Sequence, residues 1–524
     1  MKALRLKYCS RFVAASVAIA LTLSQVACTS APHQSATRTR ENDDLAAAKA
    51  AIQRGDFATA IPLIKISAVS GNAEAQDILG RAYQYGSGVP QDYSEAVEWF
   101  RKAAEQGNVD AEVRLGSRYM NGEGVQQDYA QAAAWYRKAA AGGSVMAIYG
   151  LGLMYEDGEG VEKDDAKAQT LYRQAAPRMI KAAGSGNVYA QSSLGQMYRG
   201  GQGVQQDSVQ AAEWFKKAAA QGQATAQFSL GLMYDDGIGV PQNDALAFEW
   251  YSKAAMQGNS SAENNLGLMY EGGRGTAKNM AKAVALQRVA AEQGNPVAQA
   301  HLGQLFRFGS GVRQDYEEAL MWYRKAAEQG NADAQNALGF MYENGLGVSR
   351  DAATAIDLYR KAAAQGESDA EANLGRLYLE GIQVEQDYRA AFVAYSRSAA
   401  QENPAGANGL GTMYFQGKGV AKSIDRAATL FREAADNGDA DGQLNLGDLY
   451  VNGDGMARNL TVAYALFEFV AEGTSLSKAR GVESRDTLLG MMDQDQVVKG
   501  QALYQQMQAR GVAQALKAYF MDNP

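Results

Sequence analysis

The chain is nearly empty of residues suited to metal or thiol chemistry. Its 524 residues include 2 cysteines and 2 histidines. Cys9 and Cys28 are both N-terminal, and His33 and His301 stand far apart, which leaves no disulfide framework and no zinc, haem or Cys–His arrangement. No metal and no cofactor is therefore expected. No G-x-S-x-G elbow is present, and the G-x-G pairs follow helical rather than strand patterns, so they lack the setting of a dinucleotide site. Acidic residues are plentiful, but nothing singles out a catalytic pair, so no enzyme is expected. Basic residues are in deficit. The net charge is −8, and it would be −12 without the leading cations Lys2, Arg5, Lys7 and Arg11. Such a surface disfavours nucleic acid. The apolar stretch from Phe12 to Leu23 is too short to cross a bilayer, which takes about 20 residues. Proline is scarce, at 8, against 56 glycines. Glycine in such excess, without collagen's period of three, implies regularly spaced helix ends or close helix contacts.

The four leading cations and the apolar stretch after them have the order of an export signal. The stretch runs into Gln25-Val26-Ala27-Cys28, which resembles the lipobox of bacterial lipoproteins. That resemblance implies a signal peptide over 1–27 and lipid attachment at Cys28, although Gln25 stands where the family carries an aliphatic residue. Thr29 brings no acidic residue behind the cysteine. In enterobacteria-like sorting this implies the outer membrane, facing the periplasm, with display at the cell surface as the alternative. Membrane contact would then be through the lipid anchor only. Residues 28–44, rich in Ser, Thr, Ala, Arg and Asn, read as a flexible tether.

A Leu-Gly pair recurs in a fixed frame. Its glycines are Gly80, Gly116, Gly152, Gly195, Gly231, Gly267, Gly303, Gly339, Gly375, Gly411 and Gly447, spaced by 36 except for 43 between Gly152 and Gly195. In the unit from Asn72 to Gly107, Ala75, Leu79 and Tyr83 share one face of a first helix, A. Gly80 sits inside that helix, where glycine costs about 1 kcal/mol against alanine. Close approach of a neighbouring helix is the expected compensation. Gly86 and Gly88 then supply the positive φ angles of a turn. The next column reads Asp92, Asp128, Asp164, Asp207, Asn243, Asn279, Asp315, Asp351, Asp387, Ser423 and Asn459. All are good N-caps, and a catalytic carboxylate would not be replaced by Ser or Asn, so the column is expected to cap a second helix, B. All five tryptophans, Trp99, Trp135, Trp214, Trp250 and Trp322, fall in one column of helix B. They are expected in the core, with a sugar-stacking stripe as the other reading. Pairs such as Arg101-Lys102 and Arg324-Lys325 near the end of helix B are expected to complement its dipole.

This unit closely resembles the Sel1-like repeat, a relative of the tetratricopeptide repeat. Ala75, Leu79-Gly80, Tyr83, Gly86-x-Gly88-Val89, Asp92, Ala96, Trp99-Phe100, Ala103-Ala104 and Gly107 carry the resemblance. It implies an all-α fold, a right-handed α-solenoid of stacked helix hairpins. Members of the family are mostly scaffolds and adaptors. Some are lipoproteins assisting exopolysaccharide secretion, and others bind host proteins. A monomeric interaction scaffold is therefore expected, with envelope proteins as partners and exopolysaccharide or peptidoglycan as further candidates. A surface adhesin or immune-protein binder is the alternative. A peptidoglycan- or glycan-active enzyme is the reading from a different class.

Residues 72–474 are expected to hold eleven repeats, preceded by a capping hairpin at 45–71 and followed by capping helices at 475–524. Seven extra residues, 177–183, interrupt the third repeat, and Pro177 is expected to kink or restart its helix at a bend between two sub-arrays. Glu402 replaces a closing glycine and Pro404 follows, so a looser stack is expected there. Stacked hairpins offer a concave face for binding. In tetratricopeptide relatives, ligands touch helix A three before, one after and four after the Leu-Gly glycine. Carried onto this chain, those columns include Arg81, Gln84, Gln196, Arg199, Gln304, Arg307 and Arg376. The pairs Gln196/Arg199 and Gln304/Arg307 are suited to an acidic peptide or a uronate polymer.

Overall fold

The computed structural model describes residues 34–381 and 384–523. The signal sequence and Cys28 lie outside the described residues. Among the described residues there are 27 helices and no strand. The chain divides into two compact units, Met1–Ala283 and Val284–Pro524. In the first, a hairpin of Gln34–Gln53 and Phe57–Val69 leads five complete repeats, from Ala73–Tyr85 and Tyr93–Glu105 to Ala224–Asp236 and Asp244–Ala255. In the second, five complete repeats run from Pro296–Phe308 and Tyr316–Glu328 to Ala440–Asn452 and Leu460–Ala471. Three helices follow, Lys478–Leu489, Gln494–Arg510 and Val512–Asp522. Each unit is thus a stack of antiparallel hairpins, the all-α solenoid architecture.

The local causes repeat from hairpin to hairpin. Helix A ends where a glycine turns left-handed, as at Gly86 with φ 67°. Helix B then starts at the expected cap column. Asp92 accepts from Ser94 and Glu95 N–H at 2.9 and 3.0 Å, and Ser423 and Asn459 accept from Arg426 and Val462. The same eleven residues donate their own N–H back to helix A, as Asp92 does to the Tyr83 carbonyl at 2.9 Å. One residue therefore caps helix B and closes the turn.

The mid-helix glycine is explained by what touches it. A Cβ on Gly80 would lie 2.7 Å from the Phe100 ring, and one on Gly231 would lie 2.6 Å from the Tyr251 ring. The same contact joins Gly303 to Tyr323 and Gly339 to Tyr359, each to the ring twenty residues on, while after Gly267 that place is taken by Gln287. These rings are buried, Phe100, Phe215, Tyr251 and Tyr359 completely. Burying such a ring contributes roughly 1.5–3 kcal/mol, more than the glycine costs the helix. The tryptophans are a different column and a correction. Trp322 is buried, but Trp99, Trp135, Trp214 and Trp250 are only half-buried. The residue after each of them faces the Leu-Gly glycine and takes the core position, which leaves the indole at its margin.

Four further expectations change. The tether does not extend to residue 44, because Gln34–Gln53 is one helix. Leu45, Ala48 and Ala51 anchor that helix in the core of the first hairpin, and Thr37–Asn42 simply continue its turns. The insertion does not restart a helix either. Asp165–Gly184 is a single helix with Pro177 inside it, and the buried residues Tyr172, Ala176, Met179 and Ala183 keep one face in phase across the proline. The division between units falls at Ala283–Val284 and not at this insertion. The stack is close rather than loose at the tenth repeat. A side chain on Gly406 or Gly409 would strike Ser398 or Tyr395. Glycine at these two positions lets the helices Tyr388–Ala400 and Pro404–Gln416 approach. At the C-terminus Leu503, Met507, Val512 and Leu516 join the core with Tyr450 and Tyr464, and Gly500 lies against the Tyr464 ring.

Two stability measurements follow. Gly231→Ala should lower the unfolding free energy by about 1–3 kcal/mol in urea titration, although alanine is the better helix former, because the Tyr251 ring must move. Among the described residues Glu402 is the one non-glycine residue with positive φ, at 59°, where sister repeats use Gly366 and Gly438. Glu402→Gly should raise stability by about 1 kcal/mol in the same assay.

Candidate binding surface

Neighbouring A helices, with the turns that follow them, are joined by polar pairs. In the first unit Arg114 Nε donates to Asp77 at 2.9 Å, Gln196 to Ser229 Oγ at 3.3 Å, and Arg274 to Asp235. In the second unit Asn373 donates to Asn336 at 3.0 Å, Asn445 to Asn408 at 2.8 Å, and Arg376 to Glu343. These bonds use several side chains that the sequence offers for ligands. Arg81 lies within 3.3 Å of the same Asp77 carboxylate, and burial pulls its pKa down. Gln84 and Gln196 are buried. Arg376 is held by Glu343 and, at 3.7 Å, by Glu380.

Besides Arg376, whose side chain stays partly exposed, three of the seven candidates remain accessible. Arg199 is half-buried, Gln304 is exposed and Arg307 is half-exposed. The pair Gln196/Arg199 is thus split between interior and surface, while Gln304/Arg307 stays at the surface. The Arg307 guanidinium lies 4.8 Å from the Phe308 ring centre and 4.3 Å from that of Phe340 on the next helix A. Phe308 is 59% exposed, an unusual state for phenylalanine. Gln304, Arg307, Phe308 and Phe340 form one cationic and aromatic patch. Phe308 and Phe340 were not among the sequence candidates: Phe340 shares the column after the Leu-Gly glycine with Leu153, Leu232 and Leu268, while Phe308 stands one place beyond the candidate columns, in a column otherwise polar or glycine except for Tyr85, which is the signal that marks it.

Two other side-chain systems are structural. Lys102, Lys138, Lys217, Lys253 and Lys325 each lie over the tryptophan three residues earlier, 3.9–4.1 Å from the ring centre. The adjacent arginine reaches forward instead, as Arg101, Arg324 and Arg360 do to Tyr119, Tyr342 and Tyr378 hydroxyls. The basic pairs therefore cover indoles and link repeats, beyond any effect on the helix dipole. A glutamine relay was missed in the sequence. Gln106 donates to Gln76 at 2.7 Å, and Gln76 donates to the Ala68 carbonyl at 3.0 Å. The same relay runs through Gln221, Gln191 and Ala183, and through Gln365, Gln335 and Ala327. Its signal was a glutamine before the closing glycine paired with one thirty residues upstream.

Among the described residues no group of three His, Cys, Asp or Glu is placed to hold a metal ion. Among them also, no helix is long and apolar enough to cross a membrane. Two carboxyls are strongly perturbed, Glu367 and Asp439, the latter pushed up to about 6 by burial. Glu367 stands at an N-cap position without making the cap bond. Burial, with Asp333 and Asp369 beside it, pushes its pKa up to about 7 from an ordinary 4.5. The folded chain thus binds more protons than the unfolded chain between those values, and stability falls as pH rises through that window. Glu367→Gln should raise the melting temperature more at pH 8 than at pH 4, measured by circular dichroism.

The Sel1 repeat family model matches eleven times, at 73–108, 109–144, 145–176, 188–223, 224–259, 260–295, 296–331, 332–367, 368–403, 404–439 and 440–473. Residues 177–187, which include the insertion, fall between two matches. Among solved structures the chain is similar to c5321, a protective antigen of uropathogenic Escherichia coli strains displaying an SLR fold. The two share 39% identity over 86% of this chain and 95% of that one, with a TM-score of 0.54. A Sel1 repeat protein from Oxalobacter formigenes is 36% identical over 60% of this chain and 90% of its own, with a TM-score of 0.38. No curated protein matches. With family matches over most of its length, Leu-Gly glycines closed on rings from helix B, and an identity of 39% to an SLR-fold protein, the chain belongs to the Sel1 repeat family.

Proposed function

We propose that this chain is a non-catalytic scaffold of the bacterial envelope, anchored by lipid at Cys28 and facing the periplasm. Its role is to assemble an outer-membrane complex, one for exopolysaccharide export foremost. Sel1 repeat proteins are protein-interaction scaffolds, and their fold is typically non-catalytic. The observation that carries the reading for this chain is the patch of Gln304, Arg307, Phe308 and Phe340. A half-exposed arginine beside an exposed aromatic is the composition favoured where proteins bind one another. The lipobox-like run Gln25-Val26-Ala27-Cys28 supports the anchor. The molecule acts as a monomer, with peptidoglycan or exopolysaccharide as further ligands of the complex.

A second reading has its own support. The E. coli relative is a protective antigen, so a surface-displayed chain that meets host proteins is the alternative. The glycan-active enzyme gains no support from any residue arrangement described above.

The test is capture from crosslinked native membranes with the wild type and with an Arg307→Ala, Phe308→Ala variant. One or two envelope proteins should be enriched by the wild type and lost with the variant, as loss of two anchor residues costs about 2 kcal/mol or more. Equal capture by both would reject the patch. Cys28→Ser should move the protein from the membrane to the soluble fraction, and resistance to protease on intact cells would favour the periplasmic face over surface display.

A further inference from the structure

The tryptophan column of helix B has a gap. Nineteen residues beyond the Leu-Gly glycine, five repeats carry tryptophan and five carry leucine, among them Leu171, Leu358 and Leu430. The ninth repeat alone carries alanine, Ala394. Trp135 packs on the core made by the preceding helix B and its own helix A, and Ala394 packs on the equivalent core of Tyr359, Ala362 and Leu374. Where the sister repeats place an indole, the ninth opens a cavity of about 380 Å³ lined by Leu374, Ala394, Arg389 and Arg397. That volume lies within the range of ligand pockets, which begins at roughly 300 Å³.

The charges at its rim are as informative as the gap. Arg397 stands in the column of Lys102, Lys138 and Lys325, the lysines that lie over their own tryptophans. A guanidinium is the better cation for stacking on a ring. Arg389 and Arg397 are both exposed. The two carboxylates that line the cavity are already engaged. Glu371 accepts from Gln401 at 3.0 Å, and Asp387 caps helix B through the N–H groups of Arg389 and Ala390. The cavity therefore combines an empty aryl position, a cation placed to cover it and a second cation beside it.

We propose that this cavity receives an aromatic side chain, tryptophan first, from an acidic segment of a partner protein. The ring takes the place that five sister repeats fill with their own indole, Arg397 stacks over it, and Arg389 meets the flanking carboxylates. The assignment rests on the protein-binding reading above and names what one part of the surface recognises.

The probe is the peptide acetyl-Asp-Asp-Trp-Asp-amide carrying 5-fluorotryptophan, followed by fluorine NMR as the full chain is added. The wild type should shift and broaden the signal. Ala394→Trp and Ala394→Leu restore residues that sister repeats tolerate, so both should keep the melting temperature and weaken binding by about tenfold or more. The double variant Arg389→Ala, Arg397→Ala removes only exposed side chains and should weaken binding about fivefold, with the loss shrinking as salt rises. The proposal is overturned if the wild type leaves the signal unchanged at millimolar peptide. It is also overturned if binding survives either filled variant in a folded chain, or survives the double arginine variant. Membrane partners still captured by Ala394→Trp would leave the scaffold reading standing while rejecting this cavity, so the two failures are distinguishable.

Discussion

A glycine in the middle of helix A lets a ring from helix B lie directly on the helix A backbone. Gly80 with Phe100, Gly231 with Tyr251 and Gly339 with Tyr359 are instances of one contact. The ring has no room if the glycine gains a side chain, and the glycine only weakens its helix if the ring is lost. This mutual dependence sets the distance within each hairpin. Other columns then take their places around it: alanines such as Ala75 and Ala103 where backbones meet, and tryptophan or leucine at the margin.

Around that apolar contact the polar groups are used with economy. The N-cap residue of helix B serves two backbone partners, and the glutamine relay satisfies side-chain amides and a carbonyl of the preceding helix in the same bonds. Buried polar groups left without partners are costly, so a repeated fold gains from a bonding scheme that repeats with it. Departures are local and readable. Glu367 lacks the cap bond and holds a raised pKa, and Glu402 holds a backbone conformation that suits glycine.

The family's scaffold role follows from the same division of labour. Residues that set the hairpin geometry are spoken for by their neighbours, which leaves recognition to positions where the pattern is broken. Phe308, beside Arg307, breaks a mostly polar column on helix A, and Ala394 breaks the tryptophan–leucine column on helix B. Both lie within the second unit. In a repeat protein an exception is easier to recognise than in a single-copy fold, because ten sister positions show what the architecture alone requires.

The sequence by itself determined the all-α hairpin architecture, the number and phase of the repeats, the caps from Asp92 to Asn459 and the close approach at the Leu-Gly glycine. Each of these is a local rule, stated by residue type at fixed spacing and repeated eleven times. Tertiary structure decided what the side chains between those positions do. Arg81, Gln196 and Arg376 look in sequence like a ligand-facing set, but contacts with Asp77, Ser229 and Glu343 occupy them. Trp99, Trp135, Trp214 and Trp250 look like core, yet the next residue takes the core position and a lysine covers the indole. Pro177 looks like a break, yet the face on both sides stays buried and the helix continues. For Gln196 and Arg376 the partner lies thirty-three residues away, on the helix A of a neighbouring repeat, and spacing within one repeat carries no record of it.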